Sequence, residues 1–88
     1  MDALEVGMTP ALTPVEAIRE LLEKRESGKT ICPSEAARLL AGPSGDWRAE
    51  MEHVHEASDA LLEEGEIRIS WKGQDIKKRR GPYRIARR

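Results

Sequence analysis

The sequence predicts an α+β fold of the winged helix-turn-helix type, with three helices and a small antiparallel ribbon of two or three strands. Three observations carry this. Residues 14 to 64 hold three segments whose apolar residues recur with helical spacing, each with its own start and stop signals. After Gly65, Ile67-Arg68-Ile69-Ser70-Trp71 alternates with a period of two, and Tyr83-Arg84-Ile85-Ala86 does the same beyond a basic loop. The order helix, short extended piece, helix, turn, helix, strand, loop, strand is that of a winged helix.

Residues 1 to 12 show no sustained period and contain Gly7 and Pro10, so they read as a flexible N-terminal arm ahead of a domain over residues 13 to 88. Thr13-Pro14-Val15-Glu16 then combines an N-cap, a proline suited to the first helical position and a capping-box carboxylate. Val15, Ile18, Leu21 and Leu22 share a face of this first helix, with Ala17 at its margin, and Ser27-Gly28 supplies a stop that sets the helix at about Pro14 to Glu26. Lys29-Thr30-Ile31-Cys32 is short and β-branched, hence a brief extended piece. Pro33-Ser34-Glu35 opens a second helix whose inward residues are Ala36, Ala37, Leu40 and Leu39, ended by Gly42-Pro43-Ser44-Gly45.

Asp46 caps the third helix, and at 100° per residue Trp47, Met51, Val54, Ser58, Leu61 and Leu62 gather on one face. Ala49, Glu52, Glu56, Asp59, Ala60 and Glu63 lie opposite, and Gly65 stands just past the end. Lys72-Gly73-Gln74-Asp75 reads as a turn, followed by Ile76, the run Lys77-Lys78-Arg79-Arg80, a second turn at Gly81-Pro82, and the return strand. Trp47 and Trp71 fall on the apolar faces of their elements, which makes both core residues. Tyr83 fits either the core or a stacking platform.

The chain has 88 residues, enough for one modest core, and only three aromatics to help fill it. Charged residues make up 35% of the chain, more than a packed enzyme usually carries, and no apolar run approaches the roughly 18 residues that span a bilayer. No secretory pattern is read at the N-terminus, and the single cysteine, Cys32, has no internal disulfide partner, which fits a reducing cytoplasm. The net charge of −1 conceals a division: residues 1 to 65 balance at −8 and residues 66 to 88 at +7. Such a chain offers a basic end to polyanions, or lets its two ends attract each other or another copy.

At ICPSEAARLL, GDWRAEM, LLEEGEIRISWKG and RGPYRI, covering roughly residues 14 to 86, the chain resembles a family of small uncharacterised bacterial winged-helix domains. The resemblance implies the fold and a cytoplasmic bacterial setting. It brings no assigned activity and no catalytic residues.

The sharpest functional expectation is DNA binding of a transcription-regulator-like kind. Arg48 stands near the start of the third helix, where a recognition helix meets DNA; Lys72, Lys77, Lys78, Arg79, Arg80 and Arg84 line the wing, with Arg87 and Arg88 in the tail. From Asp46 to Glu64, however, the third helix carries seven acids and one arginine. That face sets Glu52 and Glu56 against phosphates, so binding led by the wing is expected, not base reading by the helix. The bland alternative for Lys77 to Arg80 is a solvated loop tip. A different class of function is a protein-interaction module or homodimer, using the acidic helix and the basic ribbon with no nucleic acid.

An enzyme is not expected. His53 and His55 are two residues apart on a helix, which points them about 160° from each other, unable to share a metal. Both read as solvated or rim histidines. Cys32 sits at a helix start, where a thiol can be activated, but no base is predictably near it, so it reads as a packed or half-buried thiol. The glycines are accounted for as helix stops and turns, and no cofactor or metal site is read.

Overall fold

A reciprocal cap opens the first helix. In the computed structural model, which describes residues 12–88, Thr13 Oγ1 accepts the Glu16 N–H at 3.1 Å and the Glu16 carboxylate accepts the Thr13 N–H at 2.9 Å. Helix α1 runs Pro14–Glu23, three residues shorter than its expected end. The chain leaves the helix because tertiary contacts take it over. The Arg25 guanidinium reaches Glu35 at 3.0 Å, and the Arg25 carbonyl accepts from Arg87 at 3.2 Å. The expected N-terminal arm, apart from Leu12, lies outside the described residues.

Strand β1 is Thr30–Ile31, and helix α2 is Pro33–Ala41. Its start is fixed by the Cys32 N–H, which donates to the Glu35 carboxylate at 2.8 Å. Helix α3 is Trp47–Glu63, with Asp46 accepting the Arg48 N–H at 3.1 Å. It ends in a Schellman motif: the Gly65 N–H donates to Leu62 O and the Glu66 N–H to Leu61 O, both at 3.0 Å, with Gly65 at φ +78°. Glu66 is then held by Arg19 of α1 through two hydrogen bonds of 2.6 and 2.7 Å.

Four strands form the sheet where two or three were expected. They are β1, β2 (Ile67–Trp71), β3 (Gln74–Ile76) and β4 (Arg84–Arg87), antiparallel in the order β1-β4-β2-β3. The extra strand comes from residues read as a turn. Only Lys72 and Gly73 turn, at φ 54° and 82°, and Trp71 pairs directly with Gln74. Two consecutive positive φ angles make a tight two-residue hairpin whose twist suits the flanking strands. Lysine is an uncommon first residue for such a turn, which concealed it.

One face of the sheet meets the helices. Ile31, Ile67, Ile69 and Ile85 from the strands pack with Ile18, Leu22, Val54 and Leu61, all at 3% exposure or less. Each such side chain contributes about 1.5–3 kcal/mol relative to exposure. Ala36 and Ala37 are fully buried and let α2 approach α3, the most extensively packed pair of elements. Ala17, expected at the margin of its helix, is also fully buried.

Two aromatic expectations change. Trp47 is only half-buried, packed at the edge of the core. Trp71 is not a core residue: it is 40% exposed, although Ile67 and Ile69 on the same strand face are buried. Burial alternates only as far as Ile69: Ser70 is buried, and Trp71, the last residue before the hairpin turn, is exposed. Tyr83 takes the core side of its two expected places, at 3% exposure. Among the described residues no helix is long and apolar enough to cross a membrane.

Candidate functional site

The basic stretch expected at a wing tip is anchored at its middle. Arg79 forms a bidentate pair with Asp59 of α3, Nε to Oδ1 and Nη2 to Oδ2 both at 2.8 Å. Paired charges hold each other ionised: the Arg79 hydrogen bonds and charge keep the Asp59 carboxyl below the usual carboxylate range. Arg79 therefore spends its charge inside the molecule, and the loop is drawn toward the acidic helix.

Its neighbours are differently placed. Lys77, Lys78 and Arg80 line a groove of about 420 Å³ together with Trp71, Ile76 and Pro82. Lys72 is exposed on the hairpin turn beside Trp71. None of these four cations has a carboxylate partner among the described residues, whereas Arg68 is paired with Asp75 and Arg79 with Asp59. Arg84 is half-buried, its Nε donating to Thr30 Oγ1 at 2.9 Å.

Arg48 is not brought into this cluster. Its guanidinium carbon lies 4.5 Å from the centre of the Trp47 ring, and that of Arg38 lies 4.6 Å away. These are cation–π distances. The shallow groove beside Trp47 is lined by Arg38, Leu39 and the turn from Gly42 to Gly45, and shares no residue with the ribbon groove. The seven expected site residues thus separate: Lys72, Lys77, Lys78 and Arg80 surround Trp71, Arg79 and Arg84 are engaged within the fold, and Arg48 belongs to a second surface.

A second groove of about 570 Å³ meets the first at Trp71 and Pro82, and runs toward Cys32, Met51, His55 and Tyr83. Two of its lining residues, His55 and Tyr83, belong to a hydrogen-bond chain. The Tyr83 hydroxyl donates to Ser58 Oγ at 3.2 Å, and Ser58 Oγ donates to the Val54 carbonyl at 2.8 Å. His55 Nδ1 lies 2.8 Å from the Tyr83 oxygen, a hydrogen-bond distance that joins the imidazole to the chain. Burial lowers the His55 pKa, with the nearby Arg79 charge acting in the same direction. Burial also raises that of Tyr83.

His55 was expected at a solvated or rim position, and it is half-buried with a specific partner. Cys32 is half-buried as expected, its Sγ accepting from Ser34 Oγ at 3.2 Å. The imidazole that an activated thiol would require is turned to Tyr83. Among the described residues no group of three or more His, Cys, Asp or Glu side chains is placed to hold a metal ion.

Sequence reasoning missed Trp71 as a surface residue and Asp59 as the partner of Arg79. The first had a signal, since a two-residue Lys72-Gly73 turn makes Trp71 the terminal residue of its strand. The second pair is twenty residues apart and carries none.

A family model described as "Protein of unknown function (DUF3253)" matches residues 13–88, and the chain belongs to that family. No curated protein matches the chain.

Proposed function

We propose that this chain is a non-enzymatic, cytoplasmic winged-helix module that binds nucleic acid through its ribbon, with α3 serving as scaffold instead of reader. The observation that carries this reading is the set of four exposed cations, Lys72, Lys77, Lys78 and Arg80, gathered around Trp71 without carboxylate partners among the described residues. A polyanion supplies the missing counter-charges, and phosphate is its commonest form. The exposed face of α3 carries Glu52, Glu56 and Glu63, which repel a phosphate wall. The lone Cys32, with no internal disulfide partner, supports the cytoplasmic setting. A titration against labelled DNA over a range of salt tests the reading. Four phosphate contacts give a log–log salt slope between about −3 and −4, reduced when Lys77, Lys78 and Arg80 are replaced by alanine. No binding at low salt removes the reading.

A second reading is self-association, favoured by the same exposed Glu52, Glu56 and Glu63, which another copy's ribbon would complement. A light-scattering mass that rises toward the dimer with concentration supports it, and a monomer at every concentration removes it.

A further inference from the structure

We infer that Trp71 is a stacking platform for an unpaired base, and that the ribbon groove takes single-stranded nucleic acid in preference to duplex. This rests on the nucleic-acid reading above and specifies its ligand. Trp71 is the one large hydrophobic side chain exposed among the described residues. The backbone behind it is fixed, because it pairs with Gln74 at the closed end of the β2–β3 hairpin. It also stands where the two grooves meet, with Lys77, Lys78 and Arg80 along one and Arg84 along the other.

A flat apolar ring flanked by cations at close spacing fits a ligand that alternates flat rings with anions. A nucleic-acid strand has that composition. An acidic peptide would satisfy the cations and leave the indole without a partner; an apolar peptide would do the reverse.

The strand must be unpaired, because bases in a duplex are stacked on each other and a protein ring meets a base face only at an end, a bulge or a single strand. Removing one stacked ring lowers affinity roughly 5- to 150-fold.

The test compares a short labelled oligothymidylate with a duplex of the same length, at low and moderate salt. The proteins are the full chain and its Trp71→Ala, Trp71→Phe and Lys77→Ala/Lys78→Ala/Arg80→Ala variants, each checked for an unchanged melting temperature. The expected result is tighter binding of the single strand. Trp71→Ala then weakens single-strand binding within the range above and leaves duplex affinity and the salt slope intact, while Trp71→Phe keeps most of the binding. The triple variant weakens both ligands.

If Trp71→Ala weakens both ligands equally, or neither, the stacking inference is overturned while the phosphate reading stands. If wild type binds neither ligand at low salt, both fail together. If a polyglutamate peptide displaces the oligothymidylate at equal charge concentration, the groove is an acidic-peptide site and the inference is overturned.

Discussion

Arg79 and Asp59 grip each other through two 2.8 Å hydrogen bonds, and that pair ties the basic loop to α3. By neutralising the central cation of the loop against α3, it leaves Lys77, Lys78 and Arg80 displayed around Trp71. The charge division legible in the sequence is therefore partly closed within one molecule and partly left unpaired among the described residues.

The pair is partly exposed, so Arg79→Ala is expected to cost only about 0.5–1 kcal/mol at neutral pH. The cost also depends on pH. Asp59 has a folded pKa below its unfolded value, so its stabilisation is present above the ordinary aspartate value of about 3.9 and is lost as pH falls through the lower, folded one. Thermal melts of wild type and Arg79→Ala should differ at pH 7 and converge as the pH is lowered from about 5 toward 2. A gap that persists in strong acid contradicts this.

The chain from His55 through Tyr83 and Ser58 to the Val54 carbonyl ties α3 to the start of β4. Tyr83→Phe keeps the packing and removes the link, for an expected loss of about 1 kcal/mol in urea denaturation. Tyr83→Ala also empties the core position and should cost about 3–5 kcal/mol. Equal losses would mean that the hydroxyl carries all the effect.

His55 offers a second pH test. Its folded pKa is lowered, chiefly by burial, so the unfolded chain binds its proton more readily and the stability tied to His55 falls as pH drops below about 6.5. An NMR titration of its ring protons should give a midpoint below 6.5, and a midpoint above that value contradicts the burial account.

Gly45 holds the turn between α2 and α3. A Cβ there would lie 2.1 Å from the Ala41 carbonyl oxygen, a backbone atom with little room to give. Gly45→Ala should cost about 1–3 kcal/mol through this clash. Gly28→Ala meets nothing within 4 Å and is penalised only by its φ of +88°, worth about 1 kcal/mol. An unaffected Gly45→Ala protein would show that the turn is looser than described.

Trp47 is half-buried against the core and flanked by Arg38 and Arg48. Trp47→Ala should therefore destabilise, but by less than the ~3–5 kcal/mol of a fully buried aromatic. No loss at all would detach Trp47 from the core.

Much of the scaffold was legible because it is written locally. The Thr13–Glu16 capping box, Pro33 at the start of α2, Asp46 before α3 and Gly65 after it act over four residues or fewer, and each appears where its side-chain chemistry requires. The end of α1 was misplaced because Arg25 answers to Glu35 and Arg87, which sequence spacing does not bring near it. The β3 strand was missed because its turn is Lys-Gly. At the candidate site the basic residues were plain in the sequence, yet their division into tied and displayed cations depends on Asp59, twenty residues earlier. Period-two alternation put Trp71 in the core, but burial stops alternating at Ser70, beside the hairpin turn that ends the strand.

Under the proposed function the ribbon, and not α3, meets the nucleic acid. Backbone amide and indole chemical shifts, followed as a short single-stranded oligonucleotide is added at low salt, test it most directly. The expected shifts concentrate at the Trp71 indole, Lys72, Gly73 and the loop from Lys77 to Pro82, with the exposed face of α3 quiet. Shifts centred on Arg48, Glu52 and Glu56, or no shifts at all, would contradict it.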